Sequence, residues 1–434
     1  MSPNIAIIGG GPAGCCLAVL LSKSPDPPSF TVFESDSAPN YRAQGGTLDL
    51  HEKTGLMAMR RMGLYSAFES KARYDGEAIG IADRDLRFYV KRGGSKGGSD
   101  SHGRPEIDRK DLREILINAL PEGCVRWGHR LQKIDEKGVL HFKSGQTAGP
   151  FDLVIGADGA WSKIRPLLSS EKPVYSGVSG IRIGISNAAE THPDLYALVN
   201  RGSLFAYGTT AYGENGSVLT QQLSDGSLNT ACYAHKPEDW LKDAGFDPTN
   251  LEETEGALLK EYEGWHPQLR KLLQVADQDP WAAGLYMLPI GHSWPHKKGF
   301  TCLGDAAHLM TPFAGEGVNL ALADSVALAD AIIAACNSSD PDALDKEVAK
   351  FEREMVERST PVQQLTYDAM TLKYFTPGAP ETTIEKYVCL MVGDQLPWFL
   401  RPVFSVAVYG YFGWFKWMYP AKSETTCMKA SKSR

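Results

Sequence analysis

The chain has 434 residues, of which 43% are hydrophobic and 22% charged, and its formal net charge is −7 at pH 7. This length suits two domains, or one large α/β unit with an insertion, and the composition is typical of a soluble globular protein. The negative charge and the lack of a basic stripe among aromatic residues exclude nucleic acid as an expected partner. Eight scattered cysteines form no C-x-x-C pair or Cys/His cluster, which disfavours a metal site and indicates a reducing compartment. A strand is predicted almost at the start of the chain, leaving no room for a signal peptide, so we expect a cytoplasmic protein.

The N-terminal stretch predicts a dinucleotide-binding turn. An apolar strand over residues 4–8 leads into a Gly-x-Gly-x-x-Gly turn and a helix, and a second strand over residues 30–33 ends in an acidic residue. In this setting the glycines allow a tight turn, close approach of the backbone to a pyrophosphate, and packing of helix on strand, while the acid binds a ribose. The predicted cofactor contacts are Gly9, Gly11, Pro12, Ala13, Gly14 and Glu34.

A second cofactor-shaped element lies near residue 305. An apolar run over residues 300–303 stops at a Gly-Asp pair, and a turn containing proline then opens a helix whose first residues include glycine. Such a helix N-terminus leaves backbone N–H groups unpaired and favours negative charge, such as that on the pyrimidine ring of a reduced flavin. The predicted contacts here are Gly304, Asp305, Pro312, Gly315, Gly317, Val318 and Asn319.

NAD and FAD sites share the glycine fingerprint, so the fingerprint alone does not identify the cofactor. The distance in sequence between the two elements does. An ordinary dehydrogenase completes its nucleotide domain within about 150 residues, whereas here the second element follows much later. One extended cofactor, with ADP at residues 9–34 and flavin at residues 304–319, suits FAD. Enzymes that hold FAD and a nicotinamide nucleotide in two separate Rossmann domains would show a second fingerprint, and none is present in the sequence.

Three segments between these elements carry further polar groups suited to the cofactor. Residues 41–51 place two glycines before an alternating run, residues 105–113 place two arginines on one helical face, and residues 151–165 repeat a strand that ends in Asp-Gly. A surface loop and an exposed arginine pair are the alternatives for the first two segments. The candidate contacts are Gly46, Asp49, Arg109, Arg113, Asp158 and Gly159.

Residues 174–290 change to an alternating pattern that predicts a mostly antiparallel sheet, one face of which could cover a ligand. The candidate substrate contacts are Arg182, Phe205, Tyr207, Gln221 and Tyr233, with Pro312 and Phe313 from the turn near the flavin. For the strand residues, ordinary sheet packing is the alternative. The predicted fold is α/β: a Rossmann-like FAD-binding domain in residues 1–173 and 291–336, an inserted β-sheet substrate domain in residues 174–290, and C-terminal helices with an aromatic-rich tail in residues 337–434.

The C-terminal region combines a long amphipathic helix over residues 342–374, predicted to break or kink at Pro361, with an aromatic segment that is uncharged between residues 401 and 416. That segment is shorter than the ~20 residues needed to span a bilayer. We interpret it first as a helix packed on the protein. The alternative is a peripheral membrane contact through residues 398–420, with the basic tail beyond it directed to lipid headgroups.

Together these motifs resemble those of the single-component FAD-dependent aromatic hydroxylases, which have the para-hydroxybenzoate hydroxylase-like fold. Three signatures match in order: the glycine fingerprint at residues 9–14, Asp-Gly at 158–159, and Gly-Asp at 304–305 running into residues 312–319. Within this group the chain is most similar to the tetracycline-inactivating monooxygenases, through GGTLDLH at 45–51, PEIDRKDLR at 105–113 and GDAAHLM at 304–310. The resemblance implies that Glu34, Asp49, Arg113 and Asp305 contact FAD and that Arg42 helps to receive NADPH.

The resemblance covers residues 3–375 and weakens in the substrate sheet, where Ala197 occupies the position of a drug-contacting glutamine of the family. Beyond residue 377 no counterpart is recognised. The GEGVNLALADS run at residues 315–325 is also similar to that of fungal secondary-metabolite monooxygenases, and we interpret the chain as one of their relatives.

The resemblance implies an FAD-dependent, NADPH-consuming monooxygenase that uses O2, through a flavin C4a-hydroperoxide, to hydroxylate an electron-rich polycyclic or aromatic small molecule in secondary metabolism or drug inactivation. No catalytic acid or base is identified from the sequence. The alternatives are a flavin-dependent epoxidase of a terpenoid or meroterpenoid alkene, a geranylgeranyl-reductase-like flavoenzyme that needs no oxygen, and a non-catalytic flavin-binding protein. We expect a monomer, because no heptad pattern is present.

Overall fold

The computed structural model describes residues 3–39, 45–94, 103–135, 138–393 and 396–420. The strands are β1 (Asn4–Ile8), β2 (Ser29–Phe33), β3 (Thr47–Asp49), β4 (Ile79–Asp83), β5 (Phe88–Arg92), β6 (Glu106–Asp108), β7 (Val125–Arg126), β8 (Leu131–Ile134), β9 (Leu140–Phe142), β10 (Thr147–Ala148), β11 (Leu153–Gly156), β12 (Val174–Ile185), β13 (Ser203–Thr209), β14 (Asn215–Gln222), β15 (Leu228–His235), β16 (Trp281–Met287) and β17 (Phe300–Cys302). The α-helices are α1 (Pro12–Ser22), α2 (Gly55–Arg61), α3 (Tyr65–Glu69), α4 (Arg109–Asn118), α5 (Ala188–Thr191), α6 (Pro193–Val199), α7 (Leu251–Glu261), α8 (Pro267–Gln274), α9 (Asp305–His308), α10 (Gly317–Cys336), α11 (Ala343–Met370), α12 (Ile384–Gly393) and α13 (Arg401–Met418).

A parallel sheet with the strand order β17-β11-β1-β2-β7 forms the centre of the first core. Its strands are short apolar runs because both faces are covered: Ile5, Ala6 and Ile7 of β1 have no exposed surface. Helices α1 and α10 pack against each other and join this core. Since parallel strands end at one edge, the loops that follow β1, β11 and β17 lie side by side there.

A second, seven-stranded sheet has the order β16-β12-β15-β14-β13-β4-β5 and is antiparallel except where β4 pairs with β13. The mixed α/β architecture confirms the predicted fold class. The boundary differs from the prediction, however, because β4 and β5 join this sheet although they lie within the segment assigned to the FAD-binding domain. The pairing of residues 79–83 with residues 203–207 is long-range, and local alternation does not reveal it.

The C-terminal helices cover one side of the second sheet. Helix α11 runs through Pro361 without a break, and the regular helix ends in a π-helical turn over Thr371–Phe375. Helix α13 packs through Val408, Phe412 and Phe415 into a cluster that also contains Tyr89. Among the described helices, Gly317–Cys336 passes the length and composition test for a membrane span, but more than half of it is buried within the protein, as in a core helix.

Candidate functional site

A cavity of about 560 Å³ is lined by the carboxyl edge of the parallel sheet, by the second sheet and by the C-terminal helices. Eleven of the predicted cofactor residues line it: Gly11, Pro12, Ala13, Asp49, Arg109, Gly159, Asp305, Pro312, Gly315, Gly317 and Val318. All seven predicted substrate residues line it too: Arg182, Phe205, Tyr207, Gln221, Tyr233, Pro312 and Phe313. The fold therefore brings together segments that are some 300 residues apart in the sequence.

The three fingerprint glycines occupy different surroundings. A Cβ at Gly9 would lie 2.3 Å from the carbonyl oxygen of Ala157, and a Cβ at Gly14 would lie 2.0 Å from that of Gly9. A Cβ at Gly11 would meet no atom within 4 Å, because this residue borders the cavity. The first and third glycines therefore serve packing, and the second leaves room for a ligand.

Two helix N-termini open onto the cavity without a side-chain cap. Helix α1 begins after Gly11 and helix α10 after Glu316; neither cap residue makes a side-chain hydrogen bond to its helix, and neither first turn contains an acidic residue. The first N–H groups of an α-helix have no partner within it, and the helix dipole adds positive potential. Both ends are thus suited to negative charge, such as a diphosphate at α1 and a reduced flavin at α10.

Some predicted cofactor residues lie behind the cavity wall: Gly9, Gly14, Glu34, Gly46, Arg113, Asp158, Gly304 and Asn319 are not among its lining residues. The carboxylate of Glu34 accepts hydrogen bonds from the backbone N–H groups of Gly10 at 2.5 Å and Asp36 at 2.8 Å. The guanidinium of Arg113 donates to Asp36 at 2.9 Å, and both side chains are buried. Glu34 therefore braces the fingerprint turn through Gly10, and Arg113 holds Asp36; the contact of Glu34 and Arg113 with FAD stays a prediction. Arg42 lies outside the described residues.

Two aspartates lie at the ends of neighbouring strands. Asp158 follows β11; its Oδ2 accepts from the Lys163 N–H at 2.6 Å, its buried Oδ1 lacks a protein partner among the described residues, and burial raises its pKa. Asp305 follows β17, and its side chain opens into the cavity. Although the cavity leaves this carboxyl accessible, the protein that surrounds the cavity desolvates it and raises the pKa of Asp305; the charges of His308 and Arg109 oppose this shift.

A buried ionic network holds the Gly-Asp turn in place. Asp324 of α10 accepts hydrogen bonds from the Gly304 N–H at 3.1 Å, His308 Nε2 at 2.5 Å and Arg358 of α11 at 2.8 Å. Burial opposes the charge of Asp324, but His308 and Arg358 outweigh it and lower its pKa; burial likewise opposes the charge of His308, but Asp324 outweighs it and raises that pKa. The sequence analysis missed this network, because no local pattern pairs these residues.

A second network attaches strand β3 to the start of α10. The side chain of Asn319 accepts from the His51 N–H at 2.9 Å and donates to the Asp49 carbonyl at 2.9 Å. The His51 ring lies between Asp49, at 2.8 Å, and Glu316, at 3.2 Å. Burial lowers the pKa of His51, but these two carboxylates outweigh it and raise the pKa to about 9. Asn319 therefore positions Asp49 at the cavity wall.

Aromatic rings and arginines line the end of the cavity formed by the second sheet. The rings of Tyr233 and Phe313 meet edge to face, with centroids 6.2 Å apart. Arg182 lies over the ring of Trp281 at 5.4 Å. Burial lowers the pKa of Arg109, and the nearby charge of Arg182 lowers it further. Planar, electron-rich ligands match such surroundings.

Three cavity residues from the C-terminal helices were missed by the sequence analysis: Lys373, Tyr387 and Met391. A usable signal exists for the lysine, because the buried positions Thr366, Ala369 and Met370 of α11 place residue 373 on the same apolar helical face. A lysine on a buried face is unusual without a partner. Tyr387 and Met391 lie in α12, beyond the part of the sequence in which a resemblance was recognised.

The chain is similar to known proteins over most of its length. The FAD binding domain family matches residues 3–237 and 293–359. Monooxygenase penA of Penicillium thymicola is 31% identical over 436 residues, covering 87% of this chain and 97% of that protein. Monooxygenase asqM of Emericella nidulans is 29% identical over 434 residues, covering 86% and 95%. The crystal structure of tetracycline destructase Tet(51) has the same fold, with a TM-score of 0.65 at 18% identity over 91% of this chain and 96% of that one. The chain therefore belongs to the FAD binding domain family and is an FAD-dependent monooxygenase.

Proposed function

We propose that this enzyme consumes NADPH and O2 to hydroxylate an electron-rich polycyclic or aromatic small molecule in secondary metabolism. The observation that carries the proposal is the two-part cavity, with uncapped helix N-termini at one end and aromatic rings at the other. The similarity to two fungal monooxygenases supports the metabolic setting. When bound, FAD would take electrons from NADPH and supply the oxygen chemistry.

The residues of this chain would hold and orient the reactants. Gly11 and the α1 N-terminus would bind the diphosphate of FAD, while Asp305 and the α10 N-terminus would border the flavin. The helix dipole of α10 would stabilise negative charge that develops on the ring during reduction. The aromatic end would exclude water and orient the substrate ring.

NADPH is proposed as a transient co-substrate. Arg92 and Arg104 line the cavity and could pair with its phosphates. The contact of Arg42 with NADPH belongs to the same proposal, although this residue lies outside the described part of the chain.

The test is NADPH consumption by the purified yellow protein, followed together with oxygen uptake. Tetracyclines, phenolic polyketides, indole or quinolone alkaloids and prenylated aromatic compounds would each be added in turn. Stimulation by one class, with a product heavier by one oxygen atom, is the expected result. The structure of that product separates hydroxylation from epoxidation, and turnover that persists without oxygen would replace the monooxygenase reaction by a reductase reaction.

A peripheral membrane contact through α13 is a further part of the proposal. One face of α13 carries Val403, Val406, Trp414 and Trp417, which follow one another at spacings of three, eight and three residues, and between 53% and 77% of each is exposed. Helix α13 carries two basic residues and no acidic one, and the sequence from 421 to 434 adds four basic residues against one acidic residue. An apolar stripe with basic flanks matches an anionic bilayer surface.

Co-sedimentation with phosphatidylserine-containing vesicles would test this contact. The double substitution Trp414→Ser with Trp417→Ser is expected to release the protein, whereas Trp161→Ser, at an exposed tryptophan elsewhere, should not. Light scattering after gel filtration tests the proposed monomer. The wild-type protein could instead form a dimer that the double substitution Trp414→Ser with Trp417→Ser dissociates, and bind no vesicles. That result would show that the stripe contacts a second copy of the protein and not a membrane.

A further inference from the structure

Lys373 is a buried lysine for which no carboxylate lies within ion-pair distance in the described part of the chain. Its side chain is held among aromatic faces: the ammonium lies 4.4 Å from the ring centre of Tyr387, 5.3 Å from that of Tyr207 and 5.6 Å from that of Phe313. The hydrogen bond found for it, to the carbonyl oxygen of Phe313, is long at 3.5 Å. An ammonium has three donors, so most of its hydrogen-bonding capacity is unused by these contacts.

The position of Lys373 connects the two ends of the cavity. Its neighbour Phe313 belongs to the turn Pro312–Ala314 that immediately precedes the N-terminus of α10, where the flavin would lie. Its other neighbours, Tyr207 and Tyr387, line the aromatic end. A flat substrate placed among these rings would therefore have one edge within reach of the ammonium.

The burial of the Lys373 ammonium without an ion-pair partner requires a physical explanation. Burying an ammonium is unfavourable unless it is paired, and three ring faces offset only part of that penalty. A wholly apolar substrate would be served as well by methionine at this position, which has a similar length and no desolvation penalty. An oxygen that bears negative charge would supply the missing acceptor and form a charge-assisted hydrogen bond.

We infer that Lys373 is a substrate-binding residue that recognises an anionic oxygen, as a carboxylate, phenolate or enolate, on the edge of the aromatic substrate. Fixing that edge sets which ring carbon faces the turn at Phe313, so the contact selects the position that is oxidised. This inference deepens the proposed function. Recognition of an anionic oxygen by Lys373 is independent of that function, but the identification of the anion as the substrate rests on it.

The test compares anionic and neutral forms of the same ring systems. Isothermal titration calorimetry of the FAD-loaded protein would measure binding of 2-hydroxybenzoate, 1-hydroxy-2-naphthoate and 3-hydroxyanthracene-2-carboxylate, each alongside its neutral amide. We expect the wild-type protein to bind at least one acid about tenfold or more tightly than the matching amide, as for hydrogen bonds to charged groups. Lys373→Met should remove this preference, and Lys373→Arg should retain part of it.

Lys386→Met is the matched control, because it removes the same charge from an exposed position in α12, next to Tyr387. It should leave the acid-to-amide ratio unchanged. The thermal unfolding of the ligand-free Lys373→Met variant supplies a second readout. A lysine that served only to anchor Phe313 would leave a less stable protein when removed, whereas removal of an uncompensated buried cation should leave stability unchanged or raise it.

Three results would overturn the inference: no binding of any acid to the wild-type protein, equal binding of acids and amides, or an acid preference that survives Lys373→Met. The last result would assign the preference to Arg109 and Arg182, two of the arginines that line the cavity together with Lys373. Failure of the proposed function can be distinguished from failure of this inference. In that case NADPH-dependent oxygen uptake would be absent while the preference for acids over amides persists.

Discussion

The contrast between Gly11 and Gly14 yields a prediction about cofactor binding that separates ligand approach from folding. The Cβ of Gly11→Ala would project into open space beside the cavity, so the substitution should leave the apoprotein folded. Alanine is less favourable than glycine at a helix N-cap, and the expected cost is about 0.5–1 kcal/mol. The same methyl group would occupy the space through which a diphosphate approaches the α1 N-terminus.

The expected loss of FAD affinity follows from the contacts that this approach permits. Hydrogen bonds to charged groups contribute about 1.5–3 kcal/mol each. Losing two of them at the helix N-terminus would raise the dissociation constant of FAD by about 10²- to 10⁴-fold. The assay is titration of FAD into apoprotein, followed by flavin fluorescence, with thermal unfolding of the apoprotein measured in parallel. Wild-type FAD affinity in Gly11→Ala would refute the assignment of this end of the cavity to the diphosphate.

Gly14→Ala is the matched control, because it adds the same methyl group three residues later. Its Cβ would lie 2.0 Å from the Gly9 carbonyl oxygen, a distance that forces strand and helix apart. We expect this variant to unfold at a markedly lower temperature even without FAD, with a destabilisation of about 1–3 kcal/mol or more, as for overpacked cores. If both variants lost only FAD affinity, the separate roles assigned to the two glycines would be wrong.

Three further predictions concern the carboxylates and histidine around the cavity. Asp305→Ala should weaken retention of FAD while leaving apoprotein unfolding nearly unchanged, and a purified variant that remained fully yellow would contradict its placement at the flavin. Asp324→Asn breaks a buried ionic network and should lower the free energy of unfolding by about 3–5 kcal/mol in urea titrations, whereas Asp330→Asn, in an exposed pair on the same helix, should change it by at most about 1 kcal/mol. Because the folded-state pKa of His51 is raised from 6.5 to about 9, its charged form stabilises the fold fully below pH 6.5, and this contribution is lost as the pH rises through about 9. The unfolding temperature of His51→Gln should therefore lie below that of the wild type at pH 6 and converge with it above pH 9; a constant difference would show that the charge is not responsible.

The cofactor half of the site could be predicted from the sequence because its signals are local. A strand, a glycine turn and a helix occupy consecutive residues, and each such unit can be recognised from its local sequence pattern. The parallel sheet then places the ends of β1, β11 and β17 side by side, so motifs near residues 9, 158 and 304 converge without any further information. The family and the FAD cofactor predicted in this way are confirmed.

The remainder depends on long-range contacts that no local pattern specifies. Asp324 braces the turn at residue 304 from a helix face where its neighbours in sequence are ordinary core residues. Strand β4 joins the second sheet through a pairing across more than a hundred residues. Asn319 was expected at the cofactor, yet its side chain is occupied by backbone groups of residues 49 and 51. In each case the partner becomes a neighbour only after folding, and for Asp324 and Asn319 a polar side chain then satisfies buried backbone groups.

The part of the chain that departs from the recognised resemblance is also the part that builds the distinctive wall of the cavity. Residues 371–391 contribute a buried cation, a tyrosine face and a methionine to the aromatic end, and α13 packs behind them with its apolar stripe outward. A ligand with an anionic edge and an apolar body would match this wall, and such amphiphilic molecules concentrate at bilayer surfaces. The proposed substrate contact of Lys373 and the proposed bilayer contact of α13 would therefore favour the same class of substrate. The NADPH assay could identify a substrate that has no acidic oxygen. Such a substrate would contradict a shared role for Lys373 and α13, even if it partitioned into lipid.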